Sequence, residues 1–280
     1  MNTDKIVYYY PIMGQTGQPM SMCCAKRFWF QDVSLMARPC GEAQSPPELQ
    51  ILGCAVPPLY FRRKPWKPSV LSEAMERVLD QVEGMADSYI HPQIGEMLTA
   101  QYAGRWLPRM DTVQMLIKQM VDRYAGSVLT RCGEATVLLG EPSDTDWQMK
   151  MSRELLYPYL PRINRLLIYY EEIAETDIWM ELGSHLDEFY YEFGLVPQLE
   201  PYVGSKCGKT RCGGMILDYC GQFRYPKIMP DGDAVYLDTA SVTAKEQLLK
   251  RKTPQTAYVS PLKYLDTMVK NSYDGLVKKT

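Results

Sequence analysis

This chain is short of several things, and each shortage closes a class of function. Histidine occurs twice in 280 residues, at His91 and His185, so imidazole-rich metal centres and histidine-based relays have little to draw on. No apolar run approaches the roughly 20 residues that span a bilayer. The N-terminus lacks the basic-then-apolar order and the cleavage site of a secretory signal. Neither sign of charge is in excess: 31 Lys and Arg against 33 Asp and Glu leave a net charge of −2. Such a balance gives no global attraction to phosphate backbones or anionic lipid. The best basic run, Arg62-Arg63-Lys64 with Lys67, is interleaved with prolines and Trp66 and reads as a solvated loop. Neither a nucleic-acid nor a membrane partner is expected. No internal repeat, low-complexity tract or Gly-x-Ser-x-Gly nucleophile elbow occurs.

Cysteine is present eight times, at 23, 24, 40, 54, 132, 207, 212 and 220. That is too few for a disulfide scaffold of this length, and the expectation is a cytoplasmic protein with free thiols. Cys207, Cys212 and Cys220 lie close together, but their gaps do not match the paired knuckles of a structural zinc site. No metal is expected.

What is present is an ordinary globular composition, 46% hydrophobic and 23% charged, long enough for two domains or one with an extension. Residues 135–139 are a short apolar, β-branched run, residues 140–146 break it, and an amphipathic segment reaches about Leu160. Residues 165–171 are apolar again. This is a βαβ unit, the building block of parallel sheets. Downstream, the stripe Trp179, Leu182, Leu186, Phe189, Tyr190 and Phe193 marks a helix closed by Gly194. Strands are read over 195–202, 215–217, 234–237 and 257–260, with helices over 243–252 and from Pro261.

Upstream, residues 5–12, 24–30 and 50–56 read as strands separated by Gly- and Pro-rich loops, and residues 71–85, 93–102 and 113–124 as helices. Asp111 caps the last of these, which ends near Gly126. The fold class expected is α/β. A Rossmann-like, mostly parallel three-layer sheet fills residues 127–280. A smaller N-terminal α+β region precedes it, β-rich over 1–68 and helical over 69–126.

Ligands on parallel sheets bind at the carboxyl ends of the strands. Here the first such end carries Gly140 alone of the three glycines a dinucleotide fingerprint needs, with Asp144 and Asp146 where phosphates belong. Those acids suit a helix dipole without any ligand, so tight NAD(P) binding is not expected. Glu171, ending the second strand, sits where an acid would meet a ribose hydroxyl. Gly204-Ser-Lys-Cys-Gly-Lys-Thr210 resembles a P-loop, but three residues separate its glycines instead of four and the following segment is a strand. It is a decoy.

The candidate ligand-binding residues are Gly140, Ser143, Glu171, Asp218, Asp238 and Ser260, all at predicted strand ends. Converging carboxylates there would hold a divalent cation or a hydroxylated or cationic small molecule. If unpaired, they would repel, and removing one charge would stabilise the apo protein. The competing reading is that Asp and Ser after a strand simply cap turns and helices. His91, before a proline, and His185, off the apolar stripe of its helix, read as loop and packing residues. The twenty tyrosines include the runs 8–10, 169–170 and 190–191. Adjacent residues of a strand face opposite ways, so some must meet a second packed face, a domain interface or a homodimer interface.

Two functions stand on this reading. One is binding of a small molecule at the strand carboxyl ends; as an enzyme it would be a divergent oxidoreductase or transferase, with no identifiable catalytic residue or cofactor. The alternative is a non-catalytic regulatory or protein-interaction protein with a degenerate Rossmann-like fold.

Overall fold

The computed structural model describes residues 4–11, 37–39, 49–56, 60–61, 64–65, 67–82, 86–171, 178–202, 211–221, 229–241 and 243–277. The contacts divide the chain into two compact units, residues 1–116 with 264–280, and residues 117–263.

In the first unit, β1 (Asp4–Pro11), β2 (Ala37–Pro39), β3 (Leu49–Val56), β4 (Tyr60–Phe61) and β5 (Lys64–Pro65) precede helix α1 (Pro68–Gln81). Then come β6 (Ala86–Ile90), the short helices α2 (Pro92–Gly95) and α3 (Ala100–Ala103), and the long helix α4 (Met110–Cys132). The sheet runs β2-β3-β1-β6. Both neighbours of β1 are parallel to it, and only β2 is antiparallel. The tyrosine run on β1 follows from this burial on both faces. Tyr9 is fully buried, its hydroxyl donating to the Met75 carbonyl of α1 at 2.8 Å. Tyr8, also fully buried, points the other way and donates to Asp266 Oδ1 at 2.6 Å. A second packed face of the same sheet therefore accounts for this adjacent pair.

β6 is a strand inside the segment read as helical. Ala86, Asp87 and Ser88 have little intrinsic strand preference. They are extended because β1 offers an open edge, with Lys5 to Tyr9 in register with Ala86 to Ile90. The helix expected over 93–102 is two short turns, α2 and α3. His91 caps α2, its Nδ1 accepting the Gln93 N–H at 3.2 Å. The expected strand over 24–30 lies outside the described residues.

Helix α4 runs past Gly126, where the sequence reading ended it, because Val128 and Leu129 continue the buried stripe. It crosses the division between the units, which falls at 116/117. The last helix, α8, likewise has its later residues in the first unit.

The second unit contains β7 (Glu134–Leu138), α5 (Thr145–Leu156), β8 (Arg165–Tyr170), α6 (Ile178–Phe193), β9 (Gln198–Pro201) and β10 (Arg211–Cys212). β11 (Met215–Asp218), β12 (Met229–Pro230), β13 (Val235–Asp238), α7 (Thr243–Lys252) and β14 (Ala257–Val259) complete it, and α8 (Pro261–Val277) starts at its end. Six strands form one sheet in the order β14-β13-β11-β7-β8-β9, every pair parallel. Numbered along the chain, this is the 3-2-1-4-5-6 order of doubly wound dinucleotide-binding folds. The chain winds outward from β7 through β8 to β9, then restarts at β11 on the other side. α5 and α6 pack against each other, and the right-handed crossover rule assigns them to one face of the sheet and α7 to the other. The fold is Rossmann-like α/β, as the periodicity indicated. Among the described residues no helix is long and apolar enough to cross a membrane.

Candidate functional site

The strand order reverses between β7 and β11, which makes their carboxyl ends the switch point where ligands enter such sheets. Gly140, just past β7, has its N–H donated to Gln148 Oε1 of α5 at 2.7 Å. A Cβ there would lie 2.6 Å from the Tyr219 carbonyl oxygen, so glycine is required because the segment after β11 presses against it. Tyr219 is itself buried, its ring edge-on to Trp147 at 5.9 Å and its hydroxyl 3.1 Å from Ser152 Oγ. Tyr202 and Cys220 both reach the Leu139 carbonyl, at 3.0 and 3.3 Å. Among the described residues, side chains and backbone of this chain thus pack between the two strand ends.

One strand further out the polar residues gather. Asp218 and Asp238 are register partners on β11 and β13, so their side chains share a face. Each makes the turn expected of an aspartate after a strand: Asp218 Oδ1 accepts the Cys220 N–H at 2.7 Å, and Asp238 Oδ1 the Ala240 N–H at 3.0 Å. The turn reading and the convergence reading are both satisfied by the same side chains. The tyrosines one row deeper serve the outer oxygens. Tyr236 donates to Asp218 Oδ2 at 2.5 Å and Tyr258 to Asp238 Oδ2 at 2.6 Å. Their rings stack at 6.1 Å.

Between the carboxylates sits Lys245, 1% exposed. Its ammonium lies 2.5 Å from Asp218 Oδ2 and 3.4 Å from Asp238 Oδ1, and it also donates to the Cys220 carbonyl. An ammonium has three N–H donors, and these three acceptors match them. The expected repulsion between unpaired carboxylates is therefore corrected: a cation from α7 lies between the two acids and offsets part of it, while the Asp238 charge still pushes the Asp218 carboxyl up. Burial pushes the Asp218 carboxyl above its ordinary range, with Lys245 pulling the other way. Burial, reinforced by the Asp218 charge, holds the Tyr236 hydroxyl protonated far above the ordinary phenol range. Burial, with the same charge nearby, pushes the Cys220 thiol up to about 12.

Of the six residues expected to share a crevice, Asp218 and Asp238 meet directly. Ser260 lies just past the next strand, buried, where its Oγ accepts the Lys263 N–H at 3.3 Å and caps α8. Gly140 belongs to the neighbouring β7–β11 junction. Ser143 is on an exposed turn and Glu171 ends β8, two strands from β11. The sequence reading missed Lys245, Tyr236, Tyr258 and Cys220. A signal for Lys245 exists: it lies three and four residues before Leu248 and Leu249, on the face where α7 needs an apolar residue. His185, read as a surface or packing residue, is buried, with Nε2 2.9 Å from Asp146 Oδ1. The P-loop-like segment 204–210 lies outside the described residues. Among the described residues no group of three or more metal-ligating side chains is assembled.

The chain matches no protein-family model, no curated protein and no solved structure.

Proposed function

We propose that this chain is a non-catalytic regulatory or protein-interaction protein on a Rossmann-like scaffold, its carboxyl-edge crevice filled by its own side chains. The observation that carries this reading is Lys245. A ligand or divalent cation drawn to the strand-end carboxylates would need the place that the Lys245 ammonium holds, and a buried, fully bonded ammonium is displaced only at the expense of several interactions. Gly140 offers no free N–H to a phosphate, because Gln148 takes it. An interaction role is supported by aromatic side chains left in solvent on the second unit: Tyr157, Tyr190 and Tyr191 are 56%, 54% and 80% exposed. Exposed tyrosine suits protein contacts, since its ring is apolar and its hydroxyl stays solvated or paired. A homodimer through this surface and a reducing, cytoplasmic setting belong to the same reading.

The second reading is a small molecule bound at the same edge, favoured by the strand order, which places a switch point between β7 and β11. A thermal-shift panel of NAD(P)(H), flavins, nucleotides, sugar phosphates and Mg²⁺ separates the two. The proposal expects no saturable shift traceable to the carboxyl edge. A saturable shift of several degrees that is lost on Gln148→Ala, but kept by a surface control variant, would establish the second reading instead.

A further inference from the structure

The opposite edge of the same sheet carries an open cavity of about 480 Å³, within the size range of small-ligand pockets. Its wall is the last turn of α4, Leu129 to Cys132, together with Gly133, Arg162 and Asn164. The wall is firmly built. Gly133 has φ +61°, and its carbonyl accepts the N–H groups of Asn164 at 2.7 Å and Arg165 at 3.2 Å. A Cβ at Gly133 would meet Asn164 Nδ2 at 2.7 Å, so the helix end and the segment leading into β8 are held at one separation.

The chemistry of that wall is one-sided. Arg131 and Arg162 bring two guanidinium groups and Asn164 an amide, all exposed; Arg131 Nε donates to the Ser127 carbonyl at 3.1 Å, and the Thr130 hydroxyl to the Gly126 carbonyl at 2.6 Å. No carboxylate is among the residues that line the cavity; Glu134 pairs with Arg165 at 2.9 Å, and Asp122, which accepts the Tyr159 hydroxyl at 2.8 Å, keeps its charge outside that wall. The carboxyl end of α4 opposes an anion, but a helix terminus contributes about half a negative charge, against two full positive charges. Arginine forks match phosphate and carboxylate oxygens in pairs.

We propose that this cavity binds a small organic anion through a phosphate or carboxylate group held between Arg131 and Arg162. The site lies at the amino edge of the sheet, away from the filled carboxyl edge, and is independent of the function proposed above.

Cys132, exposed in the same wall, provides the readout. Its alkylation by anionic iodoacetate and by neutral iodoacetamide is followed by peptide mapping on the full-length protein. The comparison is between the wild type and the double variant Arg131→Gln/Arg162→Gln. Removing two unit charges from beside the thiol lowers the local concentration of an anion several-fold in water. The iodoacetate-to-iodoacetamide rate ratio should therefore fall several-fold in the double variant, and in the wild type it should fall with added NaCl. Inorganic phosphate or sodium acetate, tested separately at constant ionic strength, should slow Cys132 alkylation in the wild type, and whichever protects identifies the anionic group. A ratio unchanged by the double substitution, or protection by neither anion, overturns the proposal. Both arginines are exposed, and the salt series on unaltered protein tests the same field if the variant is unstable. A thermal shift abolished by the double variant belongs to this cavity; one that survives it bears on the carboxyl edge.

Discussion

Lys245→Met is the most informative perturbation of this molecule. The substitution keeps most of the side-chain volume and removes a charge that is 1% exposed and placed between two buried acids. Deleting one member of a buried charge cluster leaves the others uncompensated and costs about 3–5 kcal/mol. Against a typical domain stability of about 5–15 kcal/mol, that is about a fifth of the total at the least. The pH dependence has a fixed sign. Burial already raises the Asp218 carboxyl in the folded state. Its contribution to stability is therefore fully present below the ordinary carboxylate pKa and is lost as pH rises through the folded value. Removing Lys245 raises that folded value further, because the ammonium favours the charged form. The deficit of the variant should then be smallest near pH 5 and grow toward pH 8. Urea denaturation of both proteins, followed by circular dichroism across that range, measures it. Adding Asp218→Asn to Lys245→Met should recover at least about 1 kcal/mol at pH 8, since it removes a stranded charge. A Lys245→Met deficit below about 1 kcal/mol, or one that grows on acidification, would refute the argument that the Lys245 charge stabilises the buried carboxylates.

Other expectations rest on single observations. Gly214 has φ +65°, and a Cβ there would lie 1.9 Å from the Glu134 carbonyl oxygen, so Gly214→Ala should cost about 3 kcal/mol or more in denaturant melts. Gly126 lies inside α4 with open space around a Cβ, so Gly126→Ala should stabilise by about 0.5–1 kcal/mol in the same assay. A thiol reagent at pH 8 should label Cys132 rapidly and leave native Cys220 untouched, because burial holds the Cys220 thiol up to about 12; labelling of Cys220 at the rate of Cys132 would contradict its placement. Calorimetry with NADH should give no micromolar binding, since Gln148 and Tyr219 occupy the Gly140 junction.

The sequence by itself determined the elements of the second unit and their alternation. Periodicity is local, and the apolar runs ending at Leu139, Leu217 and Leu237 and the amphipathic patterns of α5 and α6 are read without knowing what they touch. It also placed Asp218 and Asp238 at strand ends. Two things lay beyond it. Pairing decided β6, whose Ala86-Asp87-Ser88 is extended because β1 lies beside it in register, and pairing carries no local composition. Burial decided the meaning of the strand-end acids. In sequence, Lys245 is a charged residue in a charged helix; only the crossover that lays α7 over β11 and β13 puts its ammonium between two carboxylates and two tyrosines. A charge is worth little in water and several kcal/mol out of it, and whether water is present is a property of the tertiary structure alone.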